Sequence, residues 1–260
     1  MRSNLVGRMS SLMLVLMLGL TVTLTMPPTA MAQRAPVQAF NPRDISGYWD
    51  LTVPPGSPNA LSNNRPPMTP WGMDQFRKVR SEFSAAALGN KVSAPKAEWN
   101  DPLAVCDPPG FPRMLWLPKT PGTRFLVTND EVFQFFEFAR TWRELWTDGR
   151  KLSADAEPRW IGYSSARWDG NTFIVDSAGF MEASWLDQYG SPHSDELRVE
   201  ERYRLVDKDH LDLTMTVTDP KTYTVPWVSD KKTFVRVEKT TRSAFNDLSE
   251  NFCVWSRDRQ

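Results

Sequence analysis

From residue 124 to residue 239 the chain repeats one pattern: a short segment in which apolar and polar residues alternate, then a turn. The segments are 124–128, 131–138, 140–147, 160–168, 172–176, 197–206, 210–218, 223–228 and 233–239. Alternation with period two marks a strand with one buried face. Asn129-Asp130, Asp148-Gly149, Asp169-Gly170 and Lys208-Asp209 separate neighbours. Dipeptides such as Asp-Gly supply the positive backbone angles of tight hairpins. With an earlier strand at 47–51, this predicts about nine or ten strands in sequential order. Such an antiparallel meander closes into a barrel, or curls into a half-open one, because closure removes exposed edges. The expected fold is mainly β.

One helix interrupts the pattern. Thr69-Pro70 offers an N-cap and a proline at the first helical position. Met73, Phe76, Val79 and Phe83 then recur at spacings of three or four. This predicts one amphipathic helix near the N-terminus, over about 70–87, packed on the sheet or across a barrel mouth. Pro102, Pro108, Pro109 and Pro112 hold the next stretch extended.

The first residues read as an export signal. Arg2 and Arg8 precede an apolar run over 12–26, and Thr29-Ala30-Met31-Ala32 ends in Ala-x-Ala. A signal peptide over 1–32 with cleavage after Ala32 is expected, hence a periplasmic or secreted protein. The apolar run is too short for a membrane span, and no cysteine lies there to take a lipid anchor. Residues 33–68 form a proline-rich arm with the first strand, and 69–260 the rest of a single barrel domain. The charge balance, 31 basic against 31 acidic residues, excludes the clustered basic surface of a nucleic-acid binder. In an oxidising compartment Cys106 and Cys253, the only two cysteines, are expected to form a disulfide. Two distant cysteines and two histidines do not make a zinc site, so neither metal nor cofactor is expected.

Alternation sorts the strand faces. Leu211, Leu213, Met215 and Val217 share one face of 210–218. Leu197, Val199, Tyr203 and Leu205 share one face of 197–206, with Glu201 among them. A carboxylate on an apolar row needs a partner, so Glu201 is either a buried ion pair or a functional acid. Trp142, Glu144 and Trp146 fall on one face of their strand; Trp160, Ser164 and Trp168 fall on one face of the next. Small residues bordered by tryptophans would leave room for a ligand between flat walls, unless Phe133, Phe135 or Phe136 fills it. The chain has 11 tryptophans, which suits an apolar, aromatic or amphipathic ligand.

The one long non-strand insert, GFMEASWLDQYGSPHSDE at 179–196, reads as a loop over one end of the barrel. It carries His193, one of 2 histidines, with Trp185, Asp187 and Asp195. A histidine titrates near neutral pH, and a neighbouring carboxylate fixes its tautomer. His193 with Asp187 and Glu201 therefore forms a candidate acid–base set. Tyr223 is a further candidate for ligand contact, and His210 sits at a polar turn.

Gly47-Tyr48-Trp49 resembles the first-strand signature of lipocalin-like barrels. The strings PPMTPWG (66–72), NDPLAVCDPPGFPR (100–113), WRELWTDGR (142–150), RWIGYSSARWDGNTFIVDSAGF (159–180), WLDQYGSPHS (185–194), EERYR (200–204) and DPKTYTVPW (219–227) go further. Over about 66–255 the chain resembles an uncharacterised family of secreted proteins of Gram-negative bacteria. The resemblance implies an exported, lipocalin-like β-barrel and brings no substrate or catalytic residue.

Two functions lead. The first is a barrel holding a small apolar, aromatic or amphipathic molecule in a tryptophan-lined pocket. The second is a cofactor-independent acid–base enzyme, a hydrolase, lyase or isomerase, built on His193. A scaffold role for the proline-rich third ranks below both. No Gly-x-Ser-x-Gly elbow, P-loop or dinucleotide fingerprint is present, which disfavours serine-nucleophile, nucleotide and nicotinamide chemistry.

Overall fold

A computed structural model describes residues 40–52, 60–82, 94–117, 122–153 and 155–237. The expected signal peptide lies outside the described residues, as does Cys253 and with it the expected bond to Cys106. Within these residues the alternating segments form strands β1 (Gly47–Thr52), β2 (Gly122–Val127), β3 (Glu131–Phe136), β4 (Trp142–Trp146) and β5 (Tyr163–Asp169). They continue as β6 (Thr172–Ala178), β7 (Arg198–Leu205), β8 (His210–Thr218), β9 (Trp227–Val228) and β10 (Lys232–Arg236). Each strand from β1 to β8 pairs with the next. β10 closes the ring by pairing with β8 through Lys232↔Leu213 and with β1 through Leu51↔Phe234. The result is the expected closed barrel, of 9 strands, with β9 attached to the far half of β8.

The meander has one departure. β4 and β5 pair in parallel, through Leu145↔Ser164 and Trp146↔Ser165. Asp148-Gly149 is therefore not the hairpin it resembles. The chain over 147–162 crosses back before β5 begins, as parallel neighbours require. Trp160 lies in this crossover rather than in a strand, and its carbonyl accepts the Phe111 N–H at 3.2 Å.

The interior follows from alternation. Leu211, Leu213, Met215 and Val217 of β8 are all buried, as are Val199, Glu201, Tyr203 and Leu205 of β7. Trp49 lies at zero exposure, donates its indole N–H to the Ile45 carbonyl at 2.9 Å and carries the Arg236 guanidinium 4.1 Å above its ring. Phe111, Phe125 and Phe136 join the same core. β4 reverses the expectation. Arg143 and Leu145 face inward, and the row Trp142, Glu144, Trp146 faces out. Trp142 packs on Phe133 at 5.8 Å on the outer surface, and Arg150 covers the Trp146 ring at 4.1 Å. The physical reason is charge: Glu201 inside the barrel needs a cation, and turning Arg143 inward outweighs leaving two indoles half-exposed.

The helix α1 (Pro70–Lys78) is shorter than its periodicity predicts and, since it begins only at residue 70, does not lie near the N-terminus as expected. Thr69 caps it, accepting the Gly72 N–H at 3.1 Å while its hydroxyl donates to the Lys221 carbonyl at 2.6 Å. Asn100 ends it, accepting the Arg80 N–H at 2.7 Å and donating to the Lys78 carbonyl at 2.9 Å, and Val79 turns extended. Phe76 and Val79 pack on Trp185, which docks α1 on the 179–196 loop at one barrel end. No helix among the described residues is long and apolar enough to cross a membrane.

Candidate functional site

Among the buried polar side chains of the described residues, one set lies inside the barrel and another at its mouth. Inside, Arg143 on β4 reaches across to Glu201 on β7 at 2.6 Å. The Tyr203 hydroxyl donates to the same carboxylate oxygen at 2.7 Å. Gln134 accepts from Arg143 Nε and Nη2 at 2.9 and 2.7 Å, and donates to the Thr123 hydroxyl at 3.1 Å. Ser164 meets Ser177 at 2.8 Å beside them. Phe111 lies 3.8 Å under the guanidinium. Burial, reinforced by the Glu201 charge, pushes the Tyr203 hydroxyl well above its ordinary pKa. Glu201 is thus the carboxylate of a buried ion pair, and its Oε1 has no hydrogen-bond partner among the described residues.

At the mouth, the 179–196 loop is held in shape from within. Asp187 accepts the Tyr189 and Ser191 N–H groups at 2.9 and 3.1 Å and the Ser191 hydroxyl at 2.7 Å. Burial raises its pKa, against those bonds. Gly190 stands at φ +83°, with a Cβ there only 2.1 Å from Val79, so a side chain would collide with the end of α1. Trp116 donates its indole N–H to the Leu186 carbonyl at 3.1 Å.

His193 lies towards the C-terminal end of this loop, 2 % exposed. Its Nδ1 lies 3.0 Å from the Ser194 carbonyl, which can only accept, so Nδ1 carries the proton. Nε2 is then a bare lone pair, and the Ser184 hydroxyl donates to it at 2.9 Å. Burial lowers the His193 pKa; the Ser194 bond and the charges of Asp219 and Glu182 work the other way. Asp219 fixes the orienting carbonyl at one remove, accepting the Ser194 N–H at 2.6 Å and the Ser194 hydroxyl at 2.8 Å. Tyr223, also buried, donates to the Pro192 carbonyl at 2.8 Å and so holds the residue before His193.

The carboxylates expected to orient His193 do not. Asp187 is committed to Ser191, and Asp195 is exposed and pairs with Lys221 at 3.0 Å. A backbone carbonyl takes their place because the loop folds tightly enough to bring its own main chain to the ring. Trp168 belongs to the opposite barrel end, beside the β5–β6 hairpin, packed on Phe173 at 5.0 Å. His210 is exposed and contacts Asp207 at 2.9 Å.

A cleft of about 280 Å³ opens between α1 and the loop. Trp71, Gln75, Lys78 and Val79 of α1 and its C-terminal cap form one wall. Ser184, Trp185 and His193 lie on the other. Of the expected ligand residues, Trp185 alone lines this cleft; Ser164 is in the barrel interior, and Trp142, Glu144 and Trp146 are outside. Ser184, Trp71 and Asp219 escaped sequence reasoning. Ser184 stands only nine positions before His193 in the same insert, the one signal that could have singled it out. Among the described residues no three of His, Cys, Asp and Glu come together as a metal site. Comparison of the chain with known protein families, curated proteins and solved structures finds no match.

Proposed function

We propose that this protein is an exported β-barrel that binds a small, partly apolar molecule with an aromatic or flat face. The site is the cleft at the barrel mouth, not the barrel interior. The observation that carries the reading is the cleft of about 280 Å³ between the indoles of Trp71 and Trp185, with Ser184 and His193 at its wall. That volume lies just below the range usual for ligand sites, about 300–1,000 Å³, and two indoles share the lining with the polar side chains of Gln75, Lys78, Asn100 and Glu182. The interior is a poorer candidate because Trp49, Phe111, Phe125, Phe136 and Tyr203 are buried there around the Arg143–Glu201 pair. Export rests on the basic, apolar and Ala-x-Ala order of residues 1–32, and a disulfide between Cys106 and Cys253, expected from the sequence, would go with that compartment.

Native mass spectrometry of protein purified from its own cell envelope tests this. The expected result is a discrete non-covalent mass absent from the denatured spectrum. Trp71→Ala should weaken binding of a small aryl amide roughly tenfold, read by quenching of the remaining tryptophans. A bare protein that also leaves its fluorescence unchanged with aryl amides overturns the reading.

A further inference from the structure

The pair at the cleft wall is also arranged for chemistry. Ser184 and His193 come from the same insert, nine residues apart, and their side chains meet at 2.9 Å. The proton on Nδ1 is committed to the Ser194 carbonyl, so the lone pair of Nε2 faces the Ser184 hydroxyl. Although no Gly-x-Ser-x-Gly elbow is present, this is the relation a serine nucleophile needs to its base: hydrogen-bond reach, the right tautomer, and a third group orienting the ring. The orienting carbonyl is itself held by Asp219 through both the N–H and the hydroxyl of Ser194. Burial keeps the imidazole neutral, the state in which Nε2 can accept a proton.

A second feature concerns the serine. Gly110, at φ +74°, lies so close that a Cβ on it would come within 2.3 Å of Ser184 Cβ and 2.4 Å of its Oγ. The neighbouring chain is therefore bare where Ser184 has to fit against it. Lys78 and Gln75 line the same cleft and bring N–H donors to it.

Resting on the cleft reading above, we infer that Ser184 and His193 form a nucleophile–base pair that hydrolyses esters of small acyl or aryl groups. Ser184 Oγ bonds to the acyl carbon as its proton passes to His193 Nε2. The carbonyl π pair moves onto oxygen, where Lys78 and Gln75 can stabilise it. The bond from the acyl carbon to the alcohol oxygen then breaks, and that oxygen leaves with the proton from Nε2. Water attacks the acyl-serine, gives its proton to Nε2, and the acid departs as Ser184 Oγ takes that proton back. Asp219 and Gly110 are positioning residues: they hold the Ser194 carbonyl and give Ser184 its place.

The probe is ethyl 4-nitrophenyl methylphosphonate, whose phosphorus a serine oxygen attacks with release of 4-nitrophenolate. We expect one equivalent of nitrophenolate per protein and the phosphonyl mass on the peptide containing Ser184. The adduct should be absent in Ser184→Ala and its formation at least ~100-fold slower in His193→Gln, the usual scale of a lost general base. Gly110→Ala should slow labelling while leaving the Arg143–Glu201 core folded, as near-ultraviolet circular dichroism reports. Peptide mapping of the wild type decides the matter even where a variant fails to fold. Labelling elsewhere, or labelling of Ser184 at the same rate in folded His193→Gln, overturns the pair. Tryptophan quenching by the probe without labelling overturns the chemistry and leaves the binding cleft standing. Neither quenching nor labelling overturns both.

Discussion

At His193 the folded chain and the unfolded chain disagree about a proton. Burial holds the folded pKa below the ordinary 6.5, so on acidification the unfolded chain takes up the proton first. Stability is then greatest above that ordinary value and falls as pH drops through it, until the folded pKa is passed. Denaturant unfolding between about pH 7.5 and about pH 5.5 should show this slope in the wild type and a shallower one in His193→Gln. An identical slope in both would show that the buried imidazole is not the group responsible. Asp187 acts in the opposite sense. Its folded pKa is raised above 3.8, so its contribution is present at low pH and is lost as pH climbs through the folded value.

Between elements, the ion pair that links β4 to β7 is the clearest case of one strand dictating the facing of another. Arg143→Met leaves Glu201 buried without its cation, which should cost about 3–5 kcal/mol. Arg143→Met with Glu201→Met should recover much of that, because two apolar side chains replace two charges that must both be desolvated. Urea midpoints of the single and double variants read this directly, and a double variant no more stable than the single one would refute it. At α1, Thr69→Ala removes the cap to Gly72 and the bond to the Lys221 carbonyl, a loss of about 1 kcal/mol. Because α1 forms one wall of the cleft, the same variant should also weaken cleft binding.

For the whole barrel, closure is uneven. β7 and β8 pair along their full length, from Arg198↔Thr218 to Leu205↔Leu211, whereas β4 and β5 meet in register only at Leu145↔Ser164 and Trp146↔Ser165. Native-state hydrogen exchange should therefore show the amides around the β4–β5 seam opening before those of β6, β7 and β8. Uniform protection around the ring would contradict this. The long walls of β6, β7 and β8 are also the ones that carry the cleft loop, since it runs from the end of β6 to the start of β7.

Much of this was legible in the sequence because its cause is local. Alternation and turn dipeptides need only neighbouring residues, so the strands, their order and the buried rows of β7 and β8 follow from them. Thr69-Pro70 likewise marks where α1 starts. Its end was not legible, since Asn100, from a distant segment, takes the Lys78 and Arg80 backbone groups. His193 and Trp185 stood out as rare side chains in the one long insert. The tryptophan row of β4 misled because alternation sorts a strand into two faces without saying which is inside. That choice was made by Glu201, on a strand 58 residues further along. The partners of His193 were hidden for the same reason: a carboxylate near in sequence is no guide to which oxygen reaches a ring. Sequence by itself determined the elements, whose hydrogen bonds and periodicities are short-range. Tertiary structure alone decided facing, the helix end and the Ser184–His193 pairing, because each depends on a contact between distant or tightly folded parts of the chain.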